Sequence, residues 1–262
     1  MTDNVGISSA PILNITQLVV TYGTRTAVNG VSFQVQRGEI FGLLGPNGAG
    51  KTSTLSAIEG LLKPHSGNVR VDGIDIQRDP IEAKARLGVQ LQASSFQSEL
   101  TIEQIARLYA GLYGVVLNRS QIADGMHAIG LAGELGKPFK SLSGGQQQRL
   151  ALYIAVIHKP VLLLLDEPTS GLDPQSRRQL WDRIEALRGG GGSILLTTHS
   201  MEEAQAVCDR VAIIDHGTLL AIDTPTKLIS TYRTDPRVVK VARGKVTLED
   251  VFIGLTGSEI RD

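Results

Sequence analysis

Gly45-Pro46-Asn47-Gly48-Ala49-Gly50-Lys51-Thr52 constrains this chain more than any other stretch. It stands between an apolar run, Glu39 to Leu44, and a segment of helical character, Leu55 to Leu62. A loop of the form G-x-x-x-x-G-K-[ST] between strand and helix is a phosphate cradle. Polyphosphate charge must be met by many donors at close range. Glycines let backbone N–H groups turn inward, and the following helix N-terminus adds its positive end. In such a cradle Lys51 reaches the terminal phosphates, the Thr52 hydroxyl ligates Mg²⁺, and Ser53 adds a further hydroxyl. The plain alternative, a glycine-rich turn capping an ordinary helix, leaves the Lys-Thr pair unexplained.

Composition narrows the remaining possibilities. The 262 residues can bury a substantial core, and 42% apolar with 20% charged residues reads as globular. The 26 basic and 26 acidic residues cancel, so no global charge draws the chain to nucleic acid. One cysteine, Cys208, allows no internal disulfide. The longest strongly apolar run, Val161 to Leu165, is far short of the roughly 20 residues of a spanning helix. Direct membrane insertion is therefore not expected. Met1 to Ala10 is polar and has no basic-then-apolar leader pattern.

Strand patterns at 12–20, 31–35 and 39–44, and a hairpin signal at 67–76, precede a change of period near residue 96. Ile102, Ile105, Ala106, Leu108, Tyr109, Leu112 and Tyr113 then recur at helical spacing behind the capping pattern Thr101-x-x-Gln104. Further helices are expected over 120–130 and from Ser143 to about His158. Strands are expected at 161–165, 193–198 and 211–215. Asp173-Pro174 and Ser200-x-x-Glu203 open two more helices. The alternation predicts an α/β fold with a mostly parallel sheet, an antiparallel part near the N-terminus and an inserted helical subdomain. The expected division is 1–92 with 159–225 as the core, 93–158 as the helical subdomain and 226–262 as a short appendage.

Val161-Leu162-Leu163-Leu164-Leu165-Asp166-Glu167 is a buried strand ending in two acids, where open α/β sheets bind ligands. Beside a phosphate loop, Asp166 is expected to hold Mg²⁺ through water. Glu167 is expected to orient or deprotonate an attacking water.

Leu142-Ser143-Gly144-Gly145-Gln146 is a capped helix start with two adjacent glycines that a plain cap does not require. With this pentapeptide the chain resembles the ATP-binding-cassette ATPases, over roughly 12–225, and its wording is similar to the drug and antibiotic exporter branch. The resemblance implies a P-loop NTPase core of RecA-like type that binds and hydrolyses ATP with Mg²⁺. It implies that Ser143, Gly144, Gly145 and Gln146 close over the phosphate held by a second subunit, with Asp173 in the loop crossing that interface. Tyr22 falls where relatives stack an aromatic ring on adenine. Gln92 fits the glutamine loop that contacts Mg²⁺ and senses a membrane partner, with Gln90 the competing choice. His199 falls at the switch histidine beside the terminal phosphate.

The implied partners are a second cassette subunit and a polytopic membrane permease. The implied location is the cytoplasmic face of the membrane, reached through that permease. The competing reading is a cassette ATPase acting as a soluble assembly or regulatory factor. A long coiled-coil insertion or a second cassette would favour it, and neither is found. Co-purification with a polytopic membrane protein discriminates the two.

Overall fold

The structure, a computed structural model, describes residues 10–90 and 96–257. Among these described residues ten strands form two sheets. The four-stranded sheet runs β2-β1-β4-β5 and is antiparallel, from β1 (Leu13–Tyr22), β2 (Arg25–Val35), β4 (Ser66–Val71) and β5 (Ile74–Asp75). The six-stranded sheet runs β10-β9-β3-β8-β7-β6. Its members are β3 (Ile40–Leu44), β6 (Leu87–Gln90), β7 (Leu162–Asp166), β8 (Ser193–Thr198), β9 (Arg210–Asp215) and β10 (Thr218–Asp223). All its neighbours are parallel except β10, which pairs antiparallel with β9.

β3, β7 and β8 are buried at every residue, as a parallel sheet covered on both faces demands. Alternation then sorts their side chains to two cores. Phe41, Leu43, Leu162, Leu164 and Leu195 pack with the antiparallel sheet and with Leu55, Ala57 and Ile58 near α1 (Lys51–Ile58). Ile40, Leu44, Leu163, Leu165, Ile194 and Leu196 face the opposite side. There they meet α5 (Gly144–Val156), α6 (Pro174–Gly189) and α7 (Met201–Val207).

The remaining helices are α2 (Pro80–Ala85), α3 (Ile102–Leu112), α4 (Arg119–Ala128), α8 (Pro225–Tyr232), α9 (Pro236–Val241) and α10 (Leu248–Thr256). α3 and α4 build a third core with Leu150, Ile154 and Ile157. Leu152 and Ala155 of α5 pack on the main sheet instead, so α5 belongs to both cores. It crosses β6 closely. A Cβ added at Gly88 would lie 2.2 Å from the Ala155 carbonyl oxygen.

One expectation needs correction. The helix predicted from residue 55 begins at Lys51, directly on the phosphate loop. In the tail, Leu228, Val238, Leu248, Val251 and Phe252 are members of the second core. α8 to α10 are short, each opened by its own cap at Thr224, Asp235 and Thr247. No single stretch there is long enough to show a helical period.

Candidate active site

β3 lies between β9 and β8 and delivers the phosphate loop at the sheet's C-terminal edge. The loop is wedged between neighbours. A Cβ on Gly45 would lie 2.5 Å from the Ile214 carbonyl oxygen, and one on Gly50 would lie 2.5 Å from that of Ala27. Gly50, at φ 104°, caps α1 without any side-chain acceptor, and the first turn carries no acid. The opening N–H groups of α1 are thus left for an anion.

Lys51 is buried. Its Nζ donates to the carbonyl oxygens of Gly45 at 2.6 Å and Pro46 at 3.3 Å, and it lies 3.9 Å from Glu167 Oε1. Burial lowers its pKa, while the charges of Glu167 and Asp166 pull it back upward. The loop thereby folds its lysine against its own backbone, within reach of the carboxylates.

Thr197 on β8 organises those carboxylates. Its hydroxyl donates to Asp166 Oδ1 at 2.5 Å and accepts from the Glu167 N–H at 3.0 Å. The Glu167 N–H also approaches the Thr197 carbonyl oxygen at 3.2 Å. This grip holds Glu167 in the left-handed region, φ 47°, a conformation uncommon outside glycine. His199 Nδ1 then sits 3.4 Å from Glu167 Oε2. The turn sends Asp166 and Glu167 to different neighbours: Asp166 inward to Thr197, Glu167 toward Lys51 and His199.

A cavity of about 580 Å³ opens over these groups, within the size range of small-molecule sites. Pro46, Asn47, Gly48, Gly50, Lys51, Thr52, Ser53, Glu167, His199 and Tyr22 line it. Ala49 is buried behind the loop. Tyr22, 51% exposed, stands at the rim with its hydroxyl 3.4 Å from Ser53 Oγ. Sequence reasoning missed Arg25 and Ala27 in the wall. The signal for Arg25 was the tight hairpin that pairs it with Tyr22 across the strands.

The glycine-rich pentapeptide does not join this cavity within one chain. Ser143 caps α5 and accepts from the Gln146 N–H, while the Gln146 side chain accepts from the Ser143 N–H at 2.9 Å. Ser143 and Gly144 are exposed, and nothing lies within 4 Å of a Cβ built on Gly144. A Cβ on Gly145 would lie 2.9 Å from Ser176 Oγ on α6, the helix that Asp173 caps. Hydrogen bonds from Ser176 and the helix N-terminus hold the Asp173 carboxyl below its ordinary range. Exposed Ser143, Gly144 and Asp173 and half-buried Gly145 and Gln146 therefore lie on one surface. Gln92 lies outside the described residues. Gln90 is described; it is buried, and among the described residues neither side-chain amide atom has a hydrogen-bond partner.

The donor set suits a hard cation bound together with phosphates. Among the described residues no three His, Cys, Asp or Glu side chains cluster as a protein-only metal cage. Mg²⁺ commonly takes one or two protein oxygens plus phosphate oxygens, and the Thr52 hydroxyl and Asp166 carboxylate are donors of that kind.

Comparison with known proteins gives the family. Residues 28–170 match the family described as ABC transporter. Nod factor export ATP-binding protein I of Ralstonia nicotianae is 39% identical over 227 residues, covering 86% of this chain and 71% of that protein. Linearmycin resistance ATP-binding protein LnrL of Bacillus subtilis is 39% identical over 211 residues, covering 80% and 68%. Among solved structures, an ATP-binding subunit of an ABC transporter superposes with a TM-score of 0.81 at 27% identity, over 93% of this chain and 99% of that one.

Proposed function

The chain belongs to the ABC transporter family of ATP-binding proteins, and from that premise we propose that it hydrolyses ATP to power export through a separate membrane permease. The observation that carries the hydrolytic reading is one carboxylate, Glu167, held between Lys51 and His199 at the wall of one cavity. Export is supported by the relatives, whose names describe Nod factor export and linearmycin resistance.

In this reading the loop amides, the α1 N-terminus and Lys51 bind the phosphates of ATP. Thr52 and Asp166, and in the family pattern also Gln92, would hold Mg²⁺, which when bound would neutralise charge on the phosphate oxygens. Tyr22 offers its ring face to adenine. Glu167 orients a water and takes its proton as the water oxygen bonds to the terminal phosphorus and the bond to ADP breaks. His199 keeps the Glu167 carboxylate aimed and meets the terminal phosphate. Little covalent work falls to the protein; position and charge do most of it.

The exposed surface of Ser143, Gly144, Gly145, Gln146 and Asp173 supports a two-copy arrangement, in which each chain completes the other's site. A separate membrane partner is supported by the exporter relatives, and among the described residues no helix is long and apolar enough to cross a membrane. In this reading the chain works at the cytoplasmic face, held there by the permease.

Glu167→Gln tests the reading. Turnover by phosphate release is expected to fall by roughly 10²–10⁴-fold, the usual weight of a general base, with ATP binding retained. Equal turnover in variant and parent removes Glu167 from this role.

A further inference from the structure

Ser200-x-x-Glu203 reads as a capping box, and half of it is one. The Glu203 N–H donates to Ser200 Oγ at 3.3 Å. The return bond, from the glutamate side chain to the cap residue's N–H, is not made; Ser200 N–H donates instead to Thr198 Oγ1 at 2.9 Å. Among the described residues the pairs Thr101/Gln104, Asn118/Gln121, Ser143/Gln146 and Thr247/Asp250 all make that return bond. Glu203 is diverted from the local role its spacing predicts.

Its carboxylate is spent on three segments outside α7. Thr169 Oγ1 donates to Glu203 Oε1 at 2.6 Å, and Thr198 Oγ1 donates to Oε2 at 3.1 Å. Arg177 Nε lies 3.3 Å from Oε1. Glu203 is only 5% exposed, and Thr169 and Thr198 are buried as well. Burying a carboxylate is costly unless it is paired and hydrogen-bonded, and here the pairing is supplied by these three groups.

Each of the three stands next to a residue of the site. Thr169 follows Glu167 by two positions, Thr198 precedes His199, and Arg177 opens the helix that Asp173 caps. β8 presents consecutive threonines to opposite faces, as strand geometry requires. Thr197 grips Asp166 and Glu167 on one face, and Thr198 is tied to Glu203 on the other.

We infer that Glu203 is a positioning residue for hydrolysis, whose buried carboxylate fixes the loop after Glu167 to the segment carrying His199 and to the start of α6. It touches neither nucleotide nor water. It sets the 3.4 Å relation between Glu167 and His199 from behind. The inference rests on the hydrolytic reading above.

The test is steady-state kinetics and nucleotide affinity on the full chain with E203Q, T169V and the double variant. The expected result is a fall in kcat of about 10- to 100-fold for E203Q, since small misplacement of reacting groups is that costly. KM and ATP affinity stay within about twofold. T169V moves kcat in the same direction, and the double variant is no worse than the poorer single one, because both remove one tie. A folded E203Q with parental kcat overturns the inference. So does a loss of kcat that is matched by an equal loss of folded fraction and by a lowered melting temperature, the mark of a purely structural part. If E203Q does not fold, T169V decides on the same criteria. Absence of turnover in the unsubstituted chain defeats the hydrolytic reading and this one with it; turnover that E203Q leaves unchanged defeats this one alone.

Discussion

Glu59 ends α1 with its carboxyl buried, and burial pushes its pKa up to about 7 from an ordinary 4.5. Repulsion from Asp166 adds to the rise and Lys84 opposes it. A carboxyl raised in the folded state favours folding most when neutral. That contribution is complete below the unfolded value of 4.5 and is lost as pH climbs through about 7. The span corresponds to at most ~3 kcal/mol. In nucleotide-free chain with chelator present, Glu59→Gln is expected to be more stable than the parent at pH 8. The advantage should shrink steadily toward pH 4.5 in urea titrations, and a gap independent of pH contradicts the assignment. Glu59 carries no sequence signal of this kind, because its burial comes from the groove wall rather than from its neighbours in the chain. The same division holds across the site. Lys51, Thr52, Asp166, Glu167 and His199 were legible because each sits in a short contiguous motif at a strand end. Thr197 was not: its partner Asp166 is 31 positions away, and a threonine in an apolar strand looks like any β-branched filler.

At the scale of elements, legibility followed length and uniformity. β3, β7 and β8 declare themselves as apolar runs. β6 has four residues, among them Gly88 and a buried Gln90, so no run forms. β10 alternates poorly beside a sheet that is otherwise parallel. α10 was hidden in the supposed appendage, yet Phe252 is 1% exposed in the second core. Phe252→Ala is therefore expected to cost about 3–5 kcal/mol in denaturant unfolding, the usual loss for a buried phenylalanine. A loss near zero would show that Phe252 adds nothing to the second core. α5 poses a different question, since its N-terminus is exposed and fully capped. Ser143→Arg removes the cap, at about 1 kcal/mol. If the cap serves a second copy's nucleotide, hydrolysis is abolished while each isolated chain still binds ATP by fluorescence titration. Loss of binding in the isolated chain would mean that Ser143 acts within its own fold.

For the molecule as a whole, the proposed function requires a surface on which a membrane permease docks, on a chain with no net charge and no membrane-spanning helix among its described residues. The answer favoured by its surface is a groove of about 560 Å³ between the core and the helical subdomain. Leu61, Ile81, Leu112 and Tyr113 line it, and Ile81 and Leu112 are 87% and 71% exposed. Large apolar side chains gathered this way mark an interaction surface more often than chance exposure. The wall is stiffened from behind: the Tyr113 ring stacks on His158 at 3.7 Å, and His158 Nε2 lies 2.9 Å from the Leu87 carbonyl oxygen. Core and helical subdomain thus meet along the same wall, and Glu59 and Lys84 give the groove floor its polar groups. Replacing Ile81 and Leu112 together by Glu should leave folding within about 0.5 kcal/mol, because neither side chain is packed. ATP binding by the chain alone should also persist, since the cavity over Lys51 and Glu167 is lined by other residues. What should disappear is recovery of the chain with membranes containing its permease, and with it export. A double variant that still sediments with those membranes at the parental amount would show that the partner docks elsewhere.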